Sequence, residues 1–198
     1  IMVSPRKLEK QEINALPLKT YDGKTFVINT LQDVKPSCDL LQKENILGFD
    51  TETRPVFQKG EHYSPSIIQL AGKKSVFIFQ LHQVGFCKPI KQLLSNRSIL
   101  KCGVAIKYDL SELNMLSKFI PRGFVDLGEL ARKAFIPHHG LRGLAAYILR
   151  FRISKQAQTS NWNIKTLSKK QILYAATDAW VGRELYLKFM KEKIIKRE

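Results

Sequence analysis

The order of short apolar segments along the chain is the feature that most constrains its fold. Residues 66–71 and 75–81 form two apolar segments separated by Gly72-Lys73-Lys74, a spacing typical of a β-hairpin. Further along, the apolar segments 99–104 and 124–127 are each followed by a helical pattern, as parallel strands joined by crossover helices are. The sequence therefore predicts an α/β fold with a mixed sheet, in which an antiparallel hairpin is joined to parallel strands.

The remaining apolar periodicities extend this outline to a single domain. Strands are also predicted at 24–28 and 46–52. Helices are predicted at 31–43, 88–94, 109–118, 143–149 and 169–191, together with one that runs from the last strand to about residue 135. We expect residues 1–20 to form an N-terminal arm or lead-in and residues 21–198 to form one domain, because 198 residues suit a single domain with short extensions.

Composition and cysteine usage exclude several classes of protein. The hydrophobic content of 44% excludes intrinsic disorder and fibrous repeats. The longest uninterrupted apolar run, 144–149, is far shorter than the ~20 residues of a membrane span, and no signal peptide is visible, so we expect no membrane association. Three cysteines without a CxxC spacing predict reduced thiols and an intracellular protein. Its location would be cytoplasmic and nucleoid-associated in a bacterium, or nuclear in a eukaryote.

Basic residues outnumber acidic ones, and the acids are unevenly placed. The chain has 33 Lys and Arg against 17 Asp and Glu, which gives a formal charge of +16. No Asp or Glu occurs between His62 and Tyr108, or between Leu130 and Thr177. A surplus of basic residues usually means only a solvated surface, but a chain that avoids carboxylates over such lengths is expected to meet a polyanion. The few retained acids then become candidates for metal binding or catalysis.

Two of these acids stand at the end of a predicted strand. Asp50 and Glu52 are two residues apart, so both side chains point to one face of the sheet. Carboxylates that close repel each other unless a cation lies between them, and Mg²⁺ or Mn²⁺ would fill that role because both prefer oxygen ligands. The alternative is that both acids merely emerge into solvent.

Three further residues become candidates through their positions on predicted helices. Tyr174 and Asp178 are four residues apart on the C-terminal helix, so they share one face of it. Asp109 lies at the N-terminal end of its predicted helix. The alternatives are core packing for Tyr174 and a helix N-cap for Asp109.

These candidates fall within three segments that resemble a known family. The segments are Phe49-Asp50-Thr51-Glu52, Gly103-Val104-Ala105-Ile106-Lys107-Tyr108-Asp109 and Tyr174-Ala175-Ala176-Thr177-Asp178-Ala179. They resemble the three motifs of the DEDDy 3′–5′ exonucleases, and in particular those of the ribonuclease D and Werner syndrome exonuclease subgroup. The resemblance covers about residues 46–190. Ala105 departs from the pattern, since a glycine is common at its position.

The resemblance implies both a fold and a mechanism. The fold would be RNase H-like, with helices on both faces of the sheet, and the cofactors would be two divalent cations, Mg²⁺ or Mn²⁺, without an organic cofactor. Asp50 would bridge the two ions, Glu52 and Asp178 would complete one site, and Asp109 would support the other. Tyr174 would orient the attacking water. The products would be nucleoside 5′-monophosphates released from the 3′ end of DNA or RNA.

Six residues are predicted to contact the nucleic acid. Two lie beside the first motif and four in the second acid-free stretch: Thr51, Arg54, Arg152, Lys155, Trp162 and Lys165. Trp162 offers a stacking surface for a base, and the alternative is a packing anchor beneath its loop. The four histidines are interpreted as surface or structural residues: His62, His82, His138 and His139.

Two other functions stay open at this point. The first is a nucleic-acid-binding module with the same fold but weak or absent catalysis, which would be recognised by the loss of a metal ligand. The second is a structural, RNA-associated protein whose binding would not depend on divalent cations. The choice between DNA and RNA and the oligomeric state have no readable motif.

Overall fold

A six-stranded mixed sheet forms the centre of the protein. The computed structural model describes residues 6–58 and 60–194. The strands are β1 Lys24–Ile28, β2 Ile46–Glu52, β3 Ile67–Ala71, β4 Ser75–Gln80, β5 Leu100–Gly103 and β6 Phe124–Asp126. Their order is β1-β4-β3-β2-β5-β6, with β3 antiparallel to both β2 and β4 and the other neighbours parallel. The predicted hairpin and mixed sheet are therefore confirmed.

The helices follow most of the predicted positions. They are α1 Lys10–Ala15, α2 Leu31–Leu41, α3 Leu81–Val84, α4 Lys88–Ser95, α5 Ile106–Leu116, α6 Leu127–Lys133, α7 Leu141–Leu144 and α8 Lys169–Lys191. The C-terminal helix has the predicted bounds, whereas α5 begins before the predicted residue 109. The segment predicted as one helix at 143–149 begins earlier, as α7, and continues as a π-helical turn at Ala145–Leu149.

Helices cover both faces of the sheet, as expected. On one face, α2 and α4 enclose an apolar cluster that includes Leu47, Phe49 and Leu70. On the other face, α8 lies across β2, β3, β4 and β5. Among the described residues, no helix combines the length and the apolar character that a membrane crossing requires.

Helix α8 approaches β2 most closely at Gly48. A Cβ atom on this residue would lie 1.8 Å from the backbone oxygen of Ala179, a distance that no side chain can occupy. Asp50 follows two residues later on the same face of the strand, and Asp178 precedes Ala179 on the helix. The missing side chain of Gly48 therefore determines how close Asp178 comes to the acids of β2.

The described part of the lead-in segment lies against the rest of the protein. Leu18 forms an isolated β-bridge with Arg152, and the backbone amide of Lys19 donates to the oxygen of Arg152 at 2.9 Å. The amide of Tyr21 donates to Oγ1 of Thr177 on α8 at 3.0 Å. The lead-in segment is thus held against Arg152, and the residue that follows it is held against α8, whereas residues 1–5 of the predicted arm and 195–198 at the end of the predicted domain lie outside the described residues.

Candidate active site

Strand β2 delivers two acids to the face that α8 covers. Asp50, Glu52 and Asp178 each offer a carboxylate oxygen, and these oxygens lie within 4.8 Å of one another. Asp178 is buried, and the other two acids are half-buried. The three acids that the sequence predicted to share a site are therefore brought together, and they do not simply emerge into solvent.

A capping interaction fixes the start of the helix that carries Asp178. The Ser168 hydroxyl accepts a hydrogen bond from the Gln171 amide at 3.2 Å, and Oε1 of Gln171 accepts one from the Ser168 amide at 3.0 Å. This reciprocal arrangement satisfies amides that have no partner within the helix. It sets the register of α8, so that Tyr174 and Asp178 lie one turn apart on the side that faces β2.

Burial makes this carboxylate cluster electrostatically unfavourable without a cation. Desolvation, and then the charges of Asp178 and Asp109, raise the pKa of Asp50 well above its ordinary value. Burial and the neighbouring acids raise the pKa of Glu52 to about 10. Burial raises the pKa of Asp178 to about 7, although a hydrogen bond from Tyr174 and the charge of Arg142 lower it. Oxygen ligands at this spacing fit a hard divalent cation, which would stabilise all three charged forms.

Asp109 joins the cluster through Thr51. The Thr51 hydroxyl donates to Oδ1 of Asp109 at 2.6 Å, and the Thr51 amide donates to Oδ1 of Asp50 at 3.0 Å. Burial raises the pKa of Asp109, and the hydrogen bond from Thr51 opposes the rise. Thr51 was predicted to meet the nucleic acid, but it is buried and its hydroxyl is already bound to a carboxylate.

Asp126 caps the helix that carries Asp109. Asp109 lies inside α5, so its alternative interpretation as an N-cap is wrong. The N-cap position belongs to Ala105, which has a left-handed backbone with φ 58°. The first helical amide, that of Ile106, donates to Oδ2 of Asp126 at 3.1 Å, while Oδ1 of the same carboxylate accepts from the amides of Gly128 and Glu129. No local motif reveals this role, because the cap comes from the next strand.

Tyr174 stands beside the carboxylates as a neutral phenol. Burial, followed by the charges of Asp178 and Glu52, raises its pKa further above the ordinary value. The ring packs against Trp162, with the two ring centroids 5.9 Å apart. A phenol that keeps its proton is suited to hydrogen-bonding a water molecule and unsuited to accepting a proton from it.

The acidic cluster opens into a cleft of about 510 Å³. Its lining consists of Phe49, Asp50, Thr51, Glu52, Val104, Ala105, Gly140, Leu141, Arg142, Gly143, Lys155, Gln158, Tyr174 and Asp178. Lys155, a predicted phosphate contact, is exposed and lines this cleft. None of the four histidines lines it. His62 instead pairs with Glu112 at 2.8 Å, and Nε2 of His138 accepts from the Leu8 amide at 2.8 Å.

Trp162 is not available for stacking on a base. It is completely buried in an apolar cluster with Ile67 and Ala175. A fully enclosed ring presents no face to a nucleotide, so the prediction of a stacking surface is wrong and the alternative, a packing anchor, is the one observed.

The other three predicted contacts do not line the cleft. Arg152 donates from Nε to the backbone oxygen of Leu16 at 3.1 Å, so this guanidinium is turned towards the lead-in segment. The Arg54 guanidinium lies over the ring of Tyr63 at 4.0 Å. Lys165 is exposed.

Arg142 lines the cleft but was not predicted as a site residue. It is one of many basic residues in the second acid-free stretch, and a lone arginine in such a stretch resembles a solvated surface residue. Its Nε and Nη1 atoms are nevertheless buried and without a hydrogen-bond partner. Burial of this kind depends on the fold of α7 and could not be derived from spacing.

Comparison with known proteins identifies the family. A family model described as 3′–5′ exonuclease matches residues 25–194. The chain belongs to the 3′–5′ exonuclease family. The match contains all four acids and the tyrosine of the predicted site, and it confirms the resemblance found in the three sequence motifs.

Curated relatives within this exonuclease family are longer proteins. The chain is 32% identical over 154 residues to the bifunctional 3′–5′ exonuclease/ATP-dependent helicase WRN of Mus musculus, covering 75% of this chain and 11% of that protein. It is 32% identical over 160 residues to ribonuclease D of Haemophilus influenzae, covering 78% of this chain and 39% of the relative. The chain thus spans well under half the length of these relatives.

Solved structures of exonuclease domains share the fold. The Nibbler EXO domain of Aedes aegypti superposes with a TM-score of 0.77 at 22% identity, covering 88% of this chain and 92% of the other. Ribonuclease D of Escherichia coli superposes with a TM-score of 0.73 at 19% identity, covering 86% and 48%. These similarities confirm the expected RNase H-like exonuclease fold.

Proposed function

We propose that this chain is a two-metal-ion 3′–5′ exonuclease that releases nucleoside 5′-monophosphates from the 3′ end of DNA or RNA. The observation that carries the proposal is the trio of Asp50, Glu52 and Asp178, whose oxygens lie within 4.8 Å in a chain of the exonuclease family. Acids that are buried this closely require a cation to stay charged. Their oxygen-only chemistry favours Mg²⁺ or Mn²⁺.

Each residue of the cluster has a role in this reaction. Two divalent cations, when bound, lower the pKa of water and stabilise the charge on the leaving 3′ oxygen. Asp50 would be shared by both ions, Glu52 and Asp178 would complete one site, and Asp109 would support the other. The Thr51 hydroxyl keeps Asp109 oriented. Tyr174, which stays protonated, would hydrogen-bond the attacking water and set its direction.

The cleft and the charge of the chain support a polyanionic substrate. Lys155 is exposed in the cleft wall, and the chain carries a formal charge of +16. A neighbour of the same fold, ribonuclease D of Trypanosoma brucei, has been solved in complex with RNA U12, at 20% identity. We therefore propose DNA or RNA as the partner. The non-catalytic binding module is disfavoured because all four acids and Tyr174 are present.

Degradation of labelled oligonucleotides tests the proposal. A 5′-labelled single strand incubated with Mg²⁺ or Mn²⁺ should shorten from its 3′ end, and chromatography should identify nucleoside 5′-monophosphates. Asp50→Asn should abolish the ladder, and Tyr174→Phe should slow it by on the order of 100-fold while metal binding persists. Glu129→Gln, at an exposed acid paired with Arg132, is the matched control and should leave the rate unchanged. A folded wild-type chain that produces no ladder in either metal would refute the proposal.

A further inference from the structure

Arg142 lines the acidic cleft and has two hydrogen-bond donors without a partner. Its Nε and Nη1 atoms are buried without a partner, and its neighbours Leu141 and Gly143 line the same cleft. Among the described residues, 6–58 and 60–194, no other lysine or arginine has a buried nitrogen without a hydrogen-bond partner. Donors in this state are unfavourable unless a ligand supplies acceptors.

The charge of Arg142 lies close to the residues of the site. Burial lowers the pKa of Arg142, the charges of Tyr174 and Asp178 oppose that change, and the guanidinium in turn lowers the pKa of Asp178. No ion pair joins Arg142 to a carboxylate within the part of the chain that the structure describes. The guanidinium therefore interacts electrostatically with Asp178, but its Nε and Nη1 donors have no acceptor.

A phosphate supplies the acceptors that Arg142 lacks. The guanidinium is a planar fork whose parallel N–H groups match two oxygens of one phosphate. Under the proposed function, the anion that enters the cleft is the phosphodiester of the 3′-terminal nucleotide. The carboxylate oxygens of the site cannot accept these hydrogen bonds when they coordinate cations.

We propose that Arg142 is a catalytic residue that binds the nonbridging oxygens of the phosphate being cleaved. This inference rests on the proposed exonuclease function. Water attacks phosphorus, and the bond between phosphorus and the 3′ oxygen of the preceding nucleotide breaks with its electron pair going to that oxygen. The water gives up one proton and the departing 3′ oxygen gains one, so the shortened strand ends in a 3′ hydroxyl and the phosphate stays on the released nucleoside 5′-monophosphate. Arg142 stays protonated throughout and contributes hydrogen bonds to the charge that develops on the phosphate oxygens.

Arg142→Gln and Arg150→Gln form a matched pair for the test. Both substitutions remove one guanidinium and leave a polar side chain. Arg150 is exposed and lies over the ring of Tyr147, and it does not line the cleft. We measure kcat and KM on a single-stranded oligonucleotide, and inhibition by adenosine 5′-monophosphate and by adenosine. Arg142→Gln should lower kcat/KM by about 10–100-fold and weaken inhibition by the monophosphate about 10-fold or more. Inhibition by adenosine, and every parameter of Arg150→Gln, should stay at the wild-type value.

Two further measurements separate phosphate binding from a structural role. The rise in melting temperature caused by Mn²⁺ should be the same in Arg142→Gln as in the wild type, because the carboxylates remain. Arg142→Lys should recover part of the lost activity, because it restores the charge without the fork. Unchanged inhibition by the monophosphate in Arg142→Gln, or no recovery in Arg142→Lys, would overturn the inference while the exonuclease function stands. A wild-type chain without nuclease activity would overturn both.

Discussion

Thr51 couples the two halves of the carboxylate cluster at the scale of single residues. Its amide binds Asp50 and its hydroxyl binds Asp109, so one residue orients acids that come from different elements. A side chain that orients a metal ligand in this way contributes to metal affinity without touching the ion. The sequence could not predict this role, because Thr51 adjoins Asp50 in the chain whereas Asp109 reaches it only through the fold.

Thr51→Val should weaken metal binding because it removes the donor to Asp109 and keeps the shape of the side chain. We expect the Mn²⁺ concentration for half-maximal activity to rise by about 10-fold, in the range typical of such supporting groups. Titration of the activity with Mn²⁺ measures the effect. Thr51→Ser keeps the hydroxyl and should stay near the wild-type midpoint. Equal Mn²⁺ midpoints for Thr51→Val and the wild type would show that the Thr51 hydrogen bond does not contribute to metal affinity.

Asp178→Asn should stabilise the metal-free protein at high pH. Burial raises the pKa of Asp178 to about 7 from an ordinary value of 3.8. Its carboxylate therefore destabilises the fold, and this unfavourable contribution is absent below the unfolded pKa and complete above the folded one. In the presence of a chelator at pH 8, the variant should melt at a higher temperature than the wild type. The difference should be about 2–4 °C for each kcal/mol gained in the free energy of unfolding. At pH 3, below the unfolded pKa, the difference should disappear.

Mn²⁺ should reduce this advantage of Asp178→Asn. Saturating metal would stabilise the wild type by binding the folded state alone, and Asp178→Asn lacks one of the proposed ligands. The melting temperature of the variant should therefore rise less on addition of Mn²⁺. A variant that melts below the wild type in chelator at pH 8 would contradict the unfavourable charge that we assign to Asp178.

At the scale of elements, the sequence predicted best where one local pattern decides the structure. Strand β1 and helix α8 have their predicted bounds, because an apolar alternation and a capping box are both local signals. Helix α5 begins earlier than predicted because its first amide is capped by Asp126, which lies in the next strand. The π-helical turn Ala145–Leu149 was missed because no residue type marks it.

Ala105→Gly should stabilise the protein at the start of α5. Ala105 has φ 58°, a left-handed conformation that costs a residue with a Cβ about 1–2 kcal/mol and costs glycine little. Part of this gain is offset by the larger entropy of an unfolded glycine, so we expect a net gain of about 0.5–1 kcal/mol. Denaturant unfolding measures it. Ala134→Gly is the control, because Ala134 ends α6 at φ −89°, and this change should not stabilise the protein.

At the scale of the whole molecule, the sequence predicted which acids lie together, but it did not predict where most of the candidate nucleic-acid contacts lie. The five motif residues could be chosen because each belongs to a segment with a fixed pattern. Trp162, Arg152 and Arg142 belong to one basic stretch in which composition gives no direction for a side chain. The fold buries the first, turns the second towards the lead-in segment and directs the third into the cleft.

Lys155→Gln should reduce the salt dependence of nucleic-acid binding. The formal charge of +16 predicts strongly salt-dependent affinity, but only residues along the strand path contribute to its slope. Lys155 lines the cleft, so its loss should reduce the slope of log K against log salt by about 0.7 for a single strand. Binding is measured by fluorescence anisotropy in the Asp50→Asn background, which prevents degradation. Lys133→Gln removes an exposed charge at the end of α6, away from the cleft, and should leave the slope unchanged. Equal slopes for both variants would mean that the positive charge acts as a diffuse field, without a defined phosphate contact at Lys155.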